Sequence, residues 1–186
     1  PETVFEGVGM VPAGHVMTFD GQKLESRRYW SLDDFRATRR STGRRIGYGE
    51  ALERTRELVR ESVKIRLRSD VPLGVFLSGG VDSSIIAHEA SAVGDGNLQT
   101  FTIGVDDPRY DESDVARRTA QSLGLRHTVL PLQVTPCETL LELVRHYDQP
   151  FSDPSAIPSL AVSQLARQHV TVVLNGDGGD EIFAGY

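Results

Sequence analysis

The sequence predicts a doubly wound, parallel α/β sheet preceded by a short β-hairpin and a linker. Three observations point to it. From residue 49 onward, apolar runs of strand length alternate with segments of helical period, at the spacing of strand–helix–strand units. The run 73–77 is continuously apolar and 170–174 is rich in β-branched residues, as strands buried on both faces require. Both runs open directly into glycine-rich turns, where an open α/β sheet gathers its ligands.

Taken in order, residues 15–19 and 22–26 flank Asp20-Gly21 and read as a hairpin with a type I′ turn, the pair supplying the positive φ values. Tyr29 and Trp30 read as packing residues. The polar stretch 36–48 holds Arg36, Arg39, Arg40, Arg44 and Arg45 without periodicity and reads as a solvated linker. From Gly49 the period turns helical, with Leu52, Val59, Val63 and Leu67 on one face. The first strand of the sheet, 73–77, leads through a loop to a helix over 83–93, stopped at Gly94-Asp95-Gly96-Asn97. A strand over 98–105 follows. Ser113 is placed to cap a helix that ends near Leu123-Gly124. Residues 126–132 read as the third strand. Pro136 starts a helix through His146, and Pro158 sits in the first turn of another through Gln168. Residues 170–174 form the fourth strand, and a further helix begins at Asp180.

The loop Ser78-Gly79-Gly80-Val81-Asp82-Ser83-Ser84 holds the most chemistry. A glycine-rich turn before a helix presents N–H groups without intrahelical partners, and the helix dipole adds to them, which makes an anion site. Gly79 and Gly80 admit a phosphate close to the backbone, and the three serines add hydroxyl donors. Asp82 repels a phosphate unless a divalent cation lies between, so its presence points to magnesium. No Lys follows a Gly, which excludes a Walker A loop. A Gly-Ser turn capped by Asp is the plain alternative. The preceding strand, the apolar helix after it and the internal acid favour the phosphate reading. The second turn, Asn175-Gly176-Asp177-Gly178-Gly179-Asp180-Glu181, is also glycine-rich and acidic. It lacks the spacing of a full EF-hand calcium loop. Two acidic turns at two strand ends allow Asp82 and Asp180 to share one metal.

The first loop resembles the pyrophosphate loop of the N-type ATP pyrophosphatases. The two loops together, in this order, resemble the synthetase domain of the glutamine-hydrolysing asparagine synthetases. Asp70-Val71-Pro72-Leu73-Gly74, Phe101-Thr102-Ile103-Gly104, Tyr110-Asp111-Glu112-Ser113 and Asp148-Gln149-Pro150-Phe151-Ser152-Asp153-Pro154-Ser155 add to the match, which covers roughly residues 46–186. Asn175 stands where many members have Ser, and Asp177 where some have Glu. The resemblance implies an adenine nucleotide alpha hydrolase-like fold and an ATP-dependent ligase. In that chemistry the side-chain carboxylate of aspartate becomes β-aspartyl-AMP, with release of pyrophosphate, and ammonia then forms the amide. It assigns ATP and pyrophosphate to Leu77, Ser78, Gly79, Gly80, Asp82, Ser83, Ser84, Ile103, Asn175 and Gly176, and magnesium to Asp82 and Asp180. Asp177 becomes a candidate base for the amide-forming step, beside its reading as a turn carboxylate holding nearby N–H groups. With Asp82 and Asp180 it completes the catalytic set. A relative that adenylates another carboxylate, such as a β-lactam-forming enzyme or an amidotransferase, has the same loops. A nucleotide-binding module without catalysis is a third reading.

By the same resemblance, residues 1–35 form the tail of a glutaminase domain with its hairpin, 36–48 a linker, and 49–186 a synthetase domain cut short at its C-terminus. Ammonia would come from a glutaminase domain outside this chain, and a homodimer is compatible with the family. The single cysteine, Cys137, is not the glutaminase nucleophile, so this chain alone is expected not to hydrolyse glutamine. One cysteine excludes a disulfide framework and a cysteine-based metal site. A net charge of −6 argues against a nucleic-acid partner. No apolar run reaches membrane-spanning length and no signal peptide is visible, so the expectation is a cytoplasmic enzyme. His127, where the family often has His, reads as structural.

Overall fold

The structure is a computed structural model that describes residues 3–36, 46–94, 96–132, 135–147, 153 and 155–185. The chain divides into two compact units, residues 1–51 and 52–186. The expected linker lies outside the described residues over 37–45, as does most of the 148–155 segment.

In the first unit, β1 (His15–Phe19) pairs antiparallel with β2 (Leu24–Arg28). The expected second strand lies two residues later, because the turn is not the one expected. Phe19 pairs with Leu24, Asp20 N–H donates to the Lys23 carbonyl at 3.3 Å, and Gly21 takes φ +96°. Gly21-Gln22, not Asp20-Gly21, are the central residues. A type I′ turn is excluded, since Gln22 does not share the positive φ. Asp20 instead accepts the N–H groups of Gln22 and Lys23 through its side chain, an Asx turn. These bonds hold its carboxyl below the usual carboxylate range. The Trp30 ring stands against Phe35, but Tyr29, Trp30 and Phe35 are all exposed, so the buried packing role expected of Tyr29 and Trp30 is not seen.

The second unit is the parallel sheet. Helix α1 (Tyr48–Arg66) precedes it, starting in the first unit. There follow β3 (Leu73–Phe76), α2 (Val81–Val93), β4 (Gln99–Gly104), α3 (Ser113–Ser122) and β5 (Arg126–Pro131). Then come α4 (Pro136–Tyr147), α5 (Ala156–Ala166), β6 (Val172–Leu174) and the single turn α6 (Gly179–Phe183). The strand order is β5-β4-β3-β6, all parallel. The chain winds outward from β3 through β4 to β5, then returns to the other side of β3, so the order reverses between β3 and β6.

Two cores cover the two faces, as a doubly wound sheet requires. Val75 and Leu77 point to one face and pack with Val63 of α1, Ala87 and Ala90 of α2, and Ala116 and Ala120 of α3. Alanines at these contacts bring helix axes close to the sheet. Phe76, Phe101, Leu130 and Val173 take the other face with Val162, Leu165 and Ala166 of α5. Of the apolar face predicted for α1, Val59, Val63 and Leu67 join the core, and Leu52 is 37% exposed.

Three boundaries differ from expectation in ways that matter to the site. Helix α2 begins at Val81, so Asp82 and Ser83 lie in its first turn and not in the loop. Ser113 does not cap α3. Glu112 is the N-cap, Ser113 is the first helical residue, and Asp111 accepts both the N–H and the hydroxyl of Ser113. Strand β6 is three residues long, because the N–H groups of Thr171 and Val172 both turn to the Pro72 carbonyl.

Candidate nucleotide site

The reversal between β3 and β6 leaves a crevice at the carboxyl ends of the two strands, the place where open α/β sheets hold ligands. Both glycine-rich turns leave the sheet there, the first from β3 and the second from β6. Their contact is tight. A Cβ on Gly176 would stand 3.0 Å from both Asp82 Cβ and Ser83 N, and a Cβ on Gly179 would stand 2.6 Å from Asp82 Cγ. Only glycine lets the second turn rest on the first turn of α2 in this way. Gly178 contributes the other requirement, a left-handed φ of +94° at the N-cap of α6.

The first loop divides its N–H groups in two. Ser78 N–H donates to Ser83 Oγ at 3.1 Å, Gly80 N–H to Ser78 Oγ at 3.1 Å, and Gly79 N–H to Glu112 Oε2 at 2.9 Å. The hydroxyls of Ser78 and Ser83 lie 2.8 Å apart, and Ser84 Oγ donates to the Gly80 carbonyl at 2.7 Å. The N–H groups of Val81, Asp82 and Ser83 have no protein acceptor among the described residues; the first intrahelical bond is Ser84 N–H to the Gly80 carbonyl. The donors without a protein acceptor are therefore those of the first turn of a 13-residue helix, with its dipole behind them; Gly176 packs against the nitrogen of Ser83, which is buried, and Val81 is exposed. The expectation that Gly79 and Gly80 N–H groups face a ligand is corrected accordingly: both are held by the protein.

Asp82 sits beside these donors, and among the described residues its carboxylate makes no hydrogen bond or ion pair. Bond lengths and the 3.8 Å spacing of consecutive Cα atoms put the Asp82 and Asp180 carboxyl groups within roughly 10 Å of each other. No group of three or more His, Cys, Asp and Glu side chains suited to a metal forms among the described residues. Asp177 accepts the Asn175 amide at 2.6 Å, which is the turn-carboxylate arrangement. Leu77 is 1% exposed, its N–H donates to Phe101 at 2.9 Å, and its carbonyl accepts the Thr102 hydroxyl. A ligand contact through the Leu77 side chain or N–H is excluded, and one lone pair of its carbonyl is left. Ile103 is partly buried on β4, next in the sheet to β3. A cleft of about 310 Å³ also borders the loop, lined by Gly79, Gly80, Val81, Ser84, Ile85 and His88. It includes none of the three candidate acids, and Asp82 with the glycines of the second turn marks the crevice as the site.

Sequence reasoning missed Glu112 and Thr102. Thr102 gave no signal, being a buried strand residue like Thr100. Glu112 did: two adjacent acids at a helix start are one more than a cap needs.

Comparisons with known proteins place the chain in a family. The family model described as asparagine synthase matches residues 54–186. A putative glutamine-hydrolysing asparagine synthetase of Methanocaldococcus jannaschii is 36% identical over 190 residues, covering all of this chain and 35% of the relative. Asparagine synthetase 1 of Bacillus subtilis is 42% identical over 138 residues, covering 73% of this chain and 21% of the relative. The amidase chyE of Penicillium rubens is 34% identical over 205 residues, covering 99% of this chain and 30% of the relative. The chain thus spans about a third or less of the length of these relatives. Among solved structures, an NH3-dependent NAD synthetase of Campylobacter jejuni aligns at TM-score 0.45 and 15% identity, over 76% of this chain and 61% of its own. With a family model matched across both turns and the sheet between them, this chain belongs to the asparagine synthase family.

Proposed function

We propose that this chain is the ATP-binding part of an amide-forming ligase that activates a carboxylate as its adenylate. The supporting observation is the unpaired N–H groups of Val81, Asp82 and Ser83 at the start of α2, beside an Asp82 carboxylate without a partner among the described residues, at the strand-order reversal. Transfer at phosphorus depends mainly on positioning and charge neutralisation, and these residues fit both tasks. The helix N-terminus would hold the leaving pyrophosphate, joined by the hydroxyls of Ser78, Ser83 and Ser84 once they turn from the acceptors they have within the protein. A bare carboxylate next to an anion site fits a cation between them, so Asp82, with Asp180, would hold magnesium. When bound, that ion supplies the positive charge that the triphosphate needs at its leaving oxygens. Ile103, Asn175 and Gly176 would border the nucleotide. Asp177 would act as base toward the incoming amine through the oxygen that does not accept the Asn175 amide.

In this reading aspartate is the acid, β-aspartyl-AMP the intermediate, and ammonia from a glutaminase domain outside this chain the nucleophile. The names of the M. jannaschii and B. subtilis relatives support it. A second reading is adenylation of a different carboxylate: a relative aligned over 99% of the chain is named an amidase and not an asparagine synthetase. The two turns face ATP and do not read the acceptor. Pyrophosphate release separates the readings in the full protein that carries this chain. Release from Mg-ATP that requires aspartate, with asparagine formed when ammonium is added, supports the first. Release that ignores aspartate and answers to another acid supports the second. No ATP-dependent release with any carboxylate leaves a binding module.

A further inference from the structure

We infer that Glu112 is a positioning residue for the phosphate loop, acting as a latch that holds the Gly79 peptide so that the N–H groups of Val81 and Asp82 stay open to a nucleotide. This rests on the nucleotide reading above. Four observations lead to it. Glu112 is the N-cap of α3 yet makes no side-chain capping bond, and Asp111 accepts the N–H and hydroxyl of Ser113 at 3.1 and 2.9 Å. Its side chain reaches across 33 residues of sequence to the Gly79 N–H, at 2.9 Å. The seat is shaped for this contact, since a Cβ on Gly79 would lie 3.2 Å from Glu112 Cβ and 3.4 Å from both Glu112 Cδ and Val115 Cβ. Finally, Ser78 N–H is held by the hydroxyl of Ser83 in the first turn of α2, and Gly80 N–H by the hydroxyl of Ser78. Among the described residues, Glu112 is the side-chain acceptor that ties residues 78–80 to an element other than the helix that follows them.

The chemistry constrains what this contact is for. A negative charge near an anion site opposes anion binding, so a carboxylate there needs a compensating role. Charge-assisted bonds to backbone N–H groups are roughly twice as strong as neutral ones. A latch that fixes the loop before the ligand arrives reduces the ordering cost at binding. The opposing possibility is that Glu112 competes with the phosphates for Gly79 and must be expelled. The two differ in sign.

The test compares Glu112→Ala and Glu112→Gln with the parent, in the full protein. It measures Mg-ATP affinity by calorimetry, the KM for ATP and kcat, and hydrogen exchange at the Gly79 amide. Both variants should fold, because Asp111 keeps the α3 cap. A latch predicts faster Gly79 exchange and about tenfold weaker Mg-ATP binding in Glu112→Ala, the worth of one hydrogen bond to a charged group. The effect falls on KM more than on kcat, and Glu112→Gln, whose amide oxygen still accepts, restores both protection and affinity. Gly79 exchange unchanged in Glu112→Ala overturns the inference. Tighter Mg-ATP binding in both variants overturns it in favour of competition. If the parent binds no Mg-ATP, the nucleotide reading fails, and the Gly79 exchange comparison decides the latch independently.

Discussion

Gly179 and Asp82 illustrate how much one absent methyl group decides. A Cβ on Gly179 would press on the Asp82 carboxyl group, 2.6 Å from its Cγ. Gly179→Ala should therefore displace Asp82 or the second turn. The expected result is a large loss of Mg-ATP affinity, with a melting temperature close to the parent because neither core is touched. Unchanged affinity would separate the second turn from the site. The sequence marked Gly179 only as one of several turn glycines, because close approach depends on a partner almost a hundred residues away. Asp82 itself was legible, since a carboxylate within a phosphate-shaped loop is chemically odd. His127 carries a different residue-scale prediction. Its Nδ1 lies 2.9 Å from the Thr100 hydroxyl, and its Nε2 is buried without a partner among the described residues. Burial lowers its pKa from the ordinary 6.5, with Arg117 adding to the effect. The folded state then resists a proton that the unfolded chain accepts. This contribution is complete above pH 6.5 and is lost as pH falls through that value toward the folded pKa. Melting temperature should drop between neutral pH and pH 5 in the parent, and His127→Gln should flatten that part of the curve. Asp107, Asp111 and Asp153, lowered from 3.8 mainly by side-chain hydrogen bonds, act only in a more acidic window. An equal slope in the His127→Gln variant would assign the drop to other groups.

Elements were legible where pattern alone decides them, and their ends were not. The strands at 73–76 and 99–104 sit within one residue of the expected ends, because buried runs between turn signals have little freedom. The hairpin failed at its turn, since the Asp20 side chain captures two N–H groups and moves the central pair to Gly21-Gln22. Helix α3 failed at its cap, since Asp111 does what Ser113 was expected to do. The contact of α1 with α2 contains an ion pair that no sequence pattern announces, Arg60 Nε to Glu89 Oε2 at 2.7 Å. It is asymmetric: the Glu89 side chain is 8% exposed and that of Arg60 57%. Removing Arg60 leaves a buried carboxylate without its counter-charge, whereas replacing Glu89 by Gln leaves Arg60 largely in water. Arg60→Ala should lower stability more than Glu89→Gln in urea unfolding. The reverse order would mean that Glu89 finds another partner or draws in water.

At the scale of the molecule, the strand order does what neither turn does alone. Reading β3 and β6 as strands was within reach of the sequence, and so was their parallel direction, but the burial expected of the second was not met: β6 is the edge strand, with Val172 exposed and Val173 and Leu174 half-buried. Their adjacency was not, because local pattern does not say which strand returns to which side of the first. The order β5-β4-β3-β6 supplies it, and with it the contact of Asp82 with the turn that holds Asp180. A shared magnesium is the sharpest consequence and the most exposed to test. If both carboxylates serve one ion, either loss removes most of the metal's benefit, and the second loss adds little. Asp82→Asn and Asp180→Asn should then each weaken Mg-ATP binding, and the double variant should resemble the singles. The coupling free energy should fall in the 0.5–3 kcal/mol range of directly interacting groups, about two- to a hundredfold in affinity. Independent roles predict additive losses, within about 0.5 kcal/mol. The same cycle run with ATP and no divalent cation should show no coupling, since without the ion the two acids have nothing to share. Additivity in magnesium would place Asp180 outside the metal site and leave the first loop, its open N–H groups and Asp82 to hold the phosphates without it.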